Sequence, residues 1–145
     1  MVTLVGMSLL GKILFKYKKG REEKMKSNVR TLNFKGKKLF MDVYQYRNND
    51  RLGIYAYTRK EAYGMVTINL SGLSVNKNEG FIESNTKDSG LEQKLIDEGI
   101  IKKVKRTVKY NMGKYDLVVF DMEKLKEFDP SGVKEYQEEN IEEFE

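Results

Sequence analysis

The amino-acid sequence predicts a single α+β domain, with one antiparallel meander sheet of about five or six strands and two or three short helices. A chain of 145 residues with 39% hydrophobic residues suffices for one compact core. Runs of alternating hydrophobicity, separated by Gly, Asn and Asp, are typical of a meander. Helix-start signals at Ser89 and Asp129 add short helices to the sheet.

Alternating strands account for most of the first half of the domain. Apolar and polar side chains alternate within each run, and the polar turns at 35–37 and 48–50 separate successive runs. A longer polar segment begins at Ser71 and interrupts the pattern. The predicted strands are residues 29–34, 38–47, 52–58 and 63–70, and a loop at residues 71–80 precedes a short edge strand at residues 81–84.

A short helix and a second hairpin are predicted next. Ser89 and Glu92 have the spacing of a capping box, in which two side chains satisfy backbone groups at a helix start. Gly99 supplies the left-handed residue that ends such a helix. The sequence therefore predicts a helix at residues 89–98, followed by strands at residues 100–110 and 114–122 that a tight turn at residues 111–113 joins.

The chain is predicted to end in an acidic helix. Asp129 is a suitable cap and Pro130 a suitable first residue, while Val133 and Tyr136 share one face. We expect the glutamates of this helix to form a solvated face. Two alternatives are that they mimic a phosphate backbone or fold back onto the basic strand at residues 102–110. The glutamates are Glu135, Glu138, Glu139, Glu142, Glu143 and Glu145.

Residues 1–24 form a leader, and residues 25–145 form the predicted domain. The apolar run at residues 2–15 is too short to span a bilayer as a helix, and cations follow it, which favours a membrane-surface anchor over a signal peptide. A second hypothesis is that the leader is a mis-annotated start. Residues 20–24, when translated back with purine codons, resemble a ribosome-binding site directly ahead of Met25.

The chain contains neither Cys nor His, which argues against most enzyme chemistries. Thiolate nucleophiles, Cys zinc sites, His general bases and His metal ligands are all excluded. The remaining candidates for acid–base or magnesium chemistry are the strand carboxylates Asp42, Asp116 and Asp121, but no catalytic motif accompanies them. We therefore expect a protein that is not an enzyme, has no cofactor or metal, and is cytoplasmic.

Strand alternation separates an aliphatic face from an aromatic face in the first hairpin. Leu39, Met41 and Val43 are expected to point one way, with Leu52, Ile54 and Ala56 opposite them, toward the core. Tyrosine-rich faces suit protein interfaces, so the other face is the candidate protein-binding surface. The alternative is that this face packs under the C-terminal helix. Its residues are Phe40, Tyr44, Tyr46, Tyr55, Tyr57 and Tyr63.

A basic strand at residues 102–110 is the second candidate surface. Regular alternation would place Lys103, Lys105 and Lys109 on one face as a lysine stripe, with Arg106 and Tyr110 on the other. Such a surface would contact the phosphates of a single-stranded nucleic acid. Alternatively, the lysines only protect an edge strand from aggregation.

The net charge of +5 conceals a strong asymmetry along the chain. Residues 1–24 carry a net charge of +4, residues 25–120 carry +8, and residues 121–145 carry −7. Without the leader, the domain therefore has a net charge of only +1. Overall basicity does not by itself indicate a nucleic-acid partner.

Within residues 29–137, four segments carry a resemblance to a known family, and they are Thr67–Gly72, Arg106-Thr107, Tyr115 and Leu125–Val133. They resemble an uncharacterised domain-of-unknown-function family of short proteins from Gram-positive bacteria and their mobile elements and phages. The resemblance implies an accessory role on mobile DNA and no known activity. We expect a protein-binding accessory protein that acts on a host defence or conjugation component, and the alternative is a single-stranded nucleic-acid-binding protein.

Overall fold

The computed structural model of the protein describes residues 28–139, which form two antiparallel sheets of four strands each and four helices. The α+β class is confirmed, but the prediction of one sheet with five or six strands is wrong. The first sheet has the order β1-β2-β3-β4 and contains β1 (Leu32–Phe34), β2 (Lys37–Gln45), β3 (Leu52–Tyr57) and β4 (Ala62–Met65). The second sheet has the order β5-β6-β8-β7 and contains β5 (Thr67–Ile68), β6 (Glu79–Ile82), β7 (Ile101–Tyr110) and β8 (Gly113–Phe120).

The predicted strand at residues 63–70 is instead two strands in different sheets. The chain leaves the first sheet at Val66, whose amide donates to the Ile54 carbonyl at 2.9 Å, and enters the second at Thr67. The Thr67 hydroxyl accepts the Ile54 amide at 3.1 Å and thereby joins the two sheets. Val66 and Thr67 are both buried, because the switch from one sheet to the other takes place inside the core. The predicted edge strand at residues 81–84 is β6, which lies inside the second sheet between β5 and β8.

The aliphatic face of the first hairpin is the main core, as predicted. Leu39, Met41 and Val43 pack there with Leu52 and Ile54 and are almost fully buried. Side chains from both sheets and from the C-terminal helices complete this core. These additional side chains include Ile82, Val118, Phe120, Leu125, Phe128, Val133 and Tyr136.

The four helices differ from the predicted set at their starts. The predicted capping box is wrong, because the second helix is capped by left-handed Gly90 and Glu92 is buried instead. Gly99 has φ 74° and ends this helix as predicted. Asp129 begins the last helix as predicted. The helices are α1 (Ser84–Asp88), α2 (Leu91–Asp97), α3 (Met122–Phe128) and α4 (Pro130–Glu139).

Candidate functional site

The predicted aromatic face is buried in the chain and is not an open surface. Phe40, Tyr44, Tyr46, Tyr55 and Tyr57 form one aromatic cluster whose members are at most 9% exposed. The alternative prediction, that the C-terminal helix covers this face, is wrong because α4 packs on the aliphatic face. Contact between these rings and a partner protein stays a prediction.

Hydrogen bonds fix the tyrosine hydroxyls of the aromatic cluster. The Tyr46 hydroxyl lies 3.1 Å from Thr67 Oγ1, and the Tyr57 hydroxyl donates to Asp42 Oδ1 at 3.2 Å. Burial raises the pKa of Tyr44 far above its ordinary value. The hydroxyls of Tyr46 and Tyr57 thus bond to groups within the protein, which is typical of a packed interior rather than a contact surface.

Tyr63 does not join the aromatic cluster, so its predicted placement is wrong. Its ring packs against the main core, 6.5 Å from the Phe34 ring in an edge-to-face arrangement, and the Lys37 ammonium lies 5.6 Å from its centre. Met65, which pairs with Tyr55 between β3 and β4, packs against the cluster.

The β7–β8 hairpin, which we call the basic hairpin, presents the densest exposed positive charge. Residues 101–115 contain six cations and no carboxylate. β7 is the edge strand of the second sheet, and every residue from 102 to 107 is exposed. Of these six cations, only Lys105 forms an ion pair with a described residue, namely Glu79 at 2.8 Å. The five cations without an ion pair are Lys102, Lys103, Arg106, Lys109 and Lys114.

The predicted lysine stripe is wrong because register shifts between Ile101 and Lys103 and between Val104 and Arg106 interrupt the alternation of β7. Directly paired residues share a face of the sheet. Lys103 pairs with Val119 and Arg106 with Leu117, whereas Lys109 pairs with Lys114 on the opposite face. Free cations consequently project from both faces of the hairpin. We call the face of Arg106 the outer face.

Two tyrosines lie on the outer face, which also carries Lys103 and Arg106. Tyr110 and Tyr115 are half-buried and pack at the margin of a cluster built on Leu70, Phe81 and Leu117. The Tyr115 ring lies over Gly113, where a Cβ atom would meet its Cε2 atom at 2.9 Å. Because glycine leaves that space open, the ring can lie flat along the strand. The two half-buried rings and Arg106 therefore share one face of the hairpin.

Ser71 belongs to a polar loop that contacts Tyr110. The Tyr110 hydroxyl lies 2.9 Å from Ser71 Oγ. The guanidinium of Arg51 holds the same loop by donating to the Leu70 carbonyl at 2.5 Å and to the Leu73 carbonyl. These contacts indicate that Tyr110 has a fixed orientation.

The three candidate catalytic carboxylates have separate structural partners. Asp42 accepts the Tyr57 hydroxyl, and Asp121 caps α3 by accepting the amides of Glu123 and Lys124. Asp116 lies on β8 and contacts Thr107 and Lys87. Within residues 28–139, no three Asp or Glu side chains are grouped to hold a metal ion. That the protein has no catalytic activity stays a prediction.

Asp116 forms a carboxyl pair with Glu92 that the sequence did not predict. Asp116 accepts the Thr107 hydroxyl at 2.5 Å and lies 3.0 Å from the Lys87 ammonium. Burial, the hydrogen bond to Asp116 and the negative charge of Asp116 raise the pKa of Glu92 to about 7. Burial opposes the hydrogen bonds from Glu92, Thr107 and Lys87, and the net effect lowers the pKa of Asp116.

The Glu92 carboxyl is expected to make the domain less stable as pH rises from 4.5 to about 7. Above pH 4.5 the unfolded chain loses a proton that the folded chain still holds on Glu92. The free energy of unfolding therefore falls as pH rises, until Glu92 also ionises in the folded chain near pH 7. The shift of Asp116 acts below its usual 3.8 and leaves this window unaffected. Glu92→Gln should remove a decline of about 1–2 kcal/mol in urea unfolding. Parallel pH profiles for both proteins would contradict this assignment.

Comparison with known proteins identifies the family but no activity. A family model described as Domain of unknown function (DUF4313) matches residues 40–140. No curated protein and no solved structure matches the chain. No helix within residues 28–139 is long and apolar enough to cross a membrane. The predicted resemblance to a domain-of-unknown-function family is thus confirmed, and the protein belongs to the DUF4313 family.

Proposed function

We propose that the domain binds single-stranded nucleic acid through the basic hairpin. The observation that carries this proposal is the set of five cations without ion pairs on the two faces of the basic hairpin, together with the half-buried rings of Tyr110 and Tyr115 on its outer face. Lysine and arginine contact phosphates, whereas tyrosine rings stack on unpaired bases. Because the bases of a duplex are already stacked, the combination suits a single strand.

Edge protection does not account for all of these cations. Lysines that only prevent aggregation are needed on the exposed edge strand, which is β7. Lys114, however, lies on β8 and directly opposite Lys109. Two like charges in such a pair are expected to cost the hairpin roughly 0.2–1 kcal/mol. A bound polyanion would offset this repulsion, which favours a binding role.

The same cations would also attract an acidic protein segment. We favour nucleic acid because the surface proposed for a protein partner, the aromatic cluster, is buried. Tyr110 and Tyr115 further provide flat rings that an acidic peptide does not require. An accessory role on mobile DNA, acting on a host defence or conjugation component in the cytoplasm, stays a prediction.

A fluorescence-anisotropy titration tests the proposal on the full chain. The probe is a labelled single-stranded oligonucleotide of roughly 12 nucleotides, a length in the usual site range. Three to five phosphate contacts predict that log K falls with log salt with a slope of about −2 to −3.5 between roughly 50 and 200 mM salt. A duplex of the same sequence should bind more weakly because its bases cannot stack on the tyrosines.

Polyglutamate distinguishes the two classes of partner in the same titration. If the tyrosines stack on bases, polyglutamate of equal charge should displace the oligonucleotide poorly. Equal displacement would show that charge alone is recognised and would favour an acidic protein. Failure to bind the oligonucleotide, or affinity independent of salt, would reject nucleic-acid binding.

A further inference from the structure

We propose that Met112, at the tip of the basic hairpin, packs on the terminal base pair of a duplex that adjoins the bound single strand. The preferred ligand is then a junction between single strand and duplex. This proposal rests on nucleic-acid binding by the basic hairpin and adds the form of nucleic acid that is bound. Among the described residues, the exposed large hydrophobic side chains are Val104, at 41%, and Met112, which is fully exposed.

The basic hairpin extends beyond the rest of its sheet. β6 pairs with β8 as far as Leu117, whereas β7 pairs with β8 as far as Gly113. Four residue pairs of the hairpin therefore lie beyond β6 and form a two-stranded arm about 14 Å long. The arm ends in the two-residue turn Asn111-Met112, which places Met112 at its outermost point.

Contacts on both faces hold the arm in place. On the outer face, the Tyr110 hydroxyl lies 2.9 Å from Ser71 Oγ. On the opposite face, the Asp116 carboxylate lies 3.0 Å from the Lys87 ammonium of α1. Asn111 closes the turn with φ 54°, a left-handed conformation that asparagine adopts more readily than most residues. An apolar side chain on a fixed arm meets its ligand with a small loss of conformational freedom.

The surroundings of Met112 favour a nucleic acid over a membrane surface. Lys109 and Lys114 form the second residue pair behind the turn, and both are exposed. They are therefore placed to contact phosphates while Met112 contacts bases, as apolar side chains of nucleic-acid-binding proteins do. A membrane surface also attracts an apolar side chain with basic neighbours. Stable anchoring, however, requires more apolar area than one methionine supplies, since even a single myristoyl chain binds only marginally.

The terminal base pair of a duplex is the place where this contact costs least. Insertion inside a duplex must first separate two stacked base pairs, whereas the outer face of a terminal pair is already unstacked. In a junction, the single strand leaves the duplex at this same point. The strand then continues along the hairpin toward Tyr110 and Tyr115, whose rings stack on unpaired bases. Met112 and the two tyrosines thus contact different parts of one ligand.

Anisotropy titration of the full chain with two labelled probes tests the proposal. One probe is a single strand of roughly 12 nucleotides, and the other is the same strand joined to a duplex. Because the junction also carries more charge, its preference is compared with that of Met112→Ser, which has the same net charge as the native chain. We expect the preference for the junction to fall roughly 10-fold in Met112→Ser, because one apolar contact is lost. Met112→Leu should retain the preference.

The possible outcomes separate this proposal from the function on which it rests. Equal junction preference in the native chain and in Met112→Ser, with the single strand still bound, would overturn the role of Met112 and leave nucleic-acid binding intact. Failure to bind either probe would reject both. Vesicles that contain phosphatidylserine provide a further arm. If Met112→Ser lost vesicle binding but kept its junction preference, the tip would contact lipid, and the proposal would be overturned.

NMR of the full chain with isotope-labelled methionine methyl groups gives a second measurement. The chain has seven methionines, and the signal that Met112→Leu loses belongs to Met112. Since protons above the face of an aromatic base are shielded, the Met112 methyl signal should move upfield when the junction is added. An unchanged signal at saturating junction would overturn the proposal.

Discussion

Replacing Asp129 with alanine is expected to lower the free energy of unfolding by about 2–4 kcal/mol. The buried carboxylate accepts the Val43 amide at 2.8 Å and the Gly132 amide at 3.0 Å. The pairing of β1 with β2 ends at Leu39, before Val43 is reached. Asp129 therefore accepts the Val43 amide at a position where the neighbouring strand has ended. Alanine removes the bond to β2 and the cap of α4 together.

Urea denaturation measures this effect, and two further variants control it. Asp129→Asn retains an oxygen acceptor and should lose less stability than alanine. Asp88→Ala removes an exposed aspartate of α1 and should change the free energy of unfolding by less than about 0.5 kcal/mol. If Asp129→Ala were as mild as Asp88→Ala, Asp129 would not be the link between α4 and β2.

Alanine at Lys103, Arg106 and Lys109 together is expected to weaken oligonucleotide binding roughly 10- to 100-fold at low salt. Each lost phosphate contact should also reduce the salt slope by about 0.7, which gives a total reduction of about 2. The three side chains are exposed and have no ion-pair partner, so the fold should tolerate their removal. Anisotropy titration at several salt concentrations measures both quantities.

The matched control removes the same charge from other parts of the surface. Lys38, Lys60 and Lys134 are exposed and lie outside the basic hairpin, so their replacement with alanine should leave the salt slope nearly unchanged. Equal losses for the two triple variants would show that net charge, rather than the hairpin, determines affinity. Circular dichroism should show the same fold for both variants.

Side-chain alternation predicted the two faces of the first hairpin correctly because β2 and β3 pair in regular register from Phe40 to Gln45. The same rule failed for β7. The register shifts beside Lys102 and Lys105 reverse the alternation, but lysines surround both sites. A bulge made of the same residue type as its neighbours leaves no signal in the sequence.

Long-range contacts also escaped prediction from the sequence. Glu92 and Asp116 lie in different elements, and the packing of α2 against β7, the strand paired with β8, brings them together. Glu92 was consequently interpreted as a helix cap, although its burial is what raises its pKa. The five-residue helix α1 was missed because it has a single buried side chain, Thr86, and no apolar period.

Mapping amide chemical shifts during an oligonucleotide titration shows where a nucleic acid contacts the domain. The largest changes are expected at the basic hairpin, in particular at Arg106, Tyr110 and Tyr115. Amides of the aromatic cluster, such as those of Tyr44 and Tyr55, should change little because their side chains are buried. Changes confined to the first sheet, or none at saturating oligonucleotide, would contradict nucleic-acid binding by the basic hairpin.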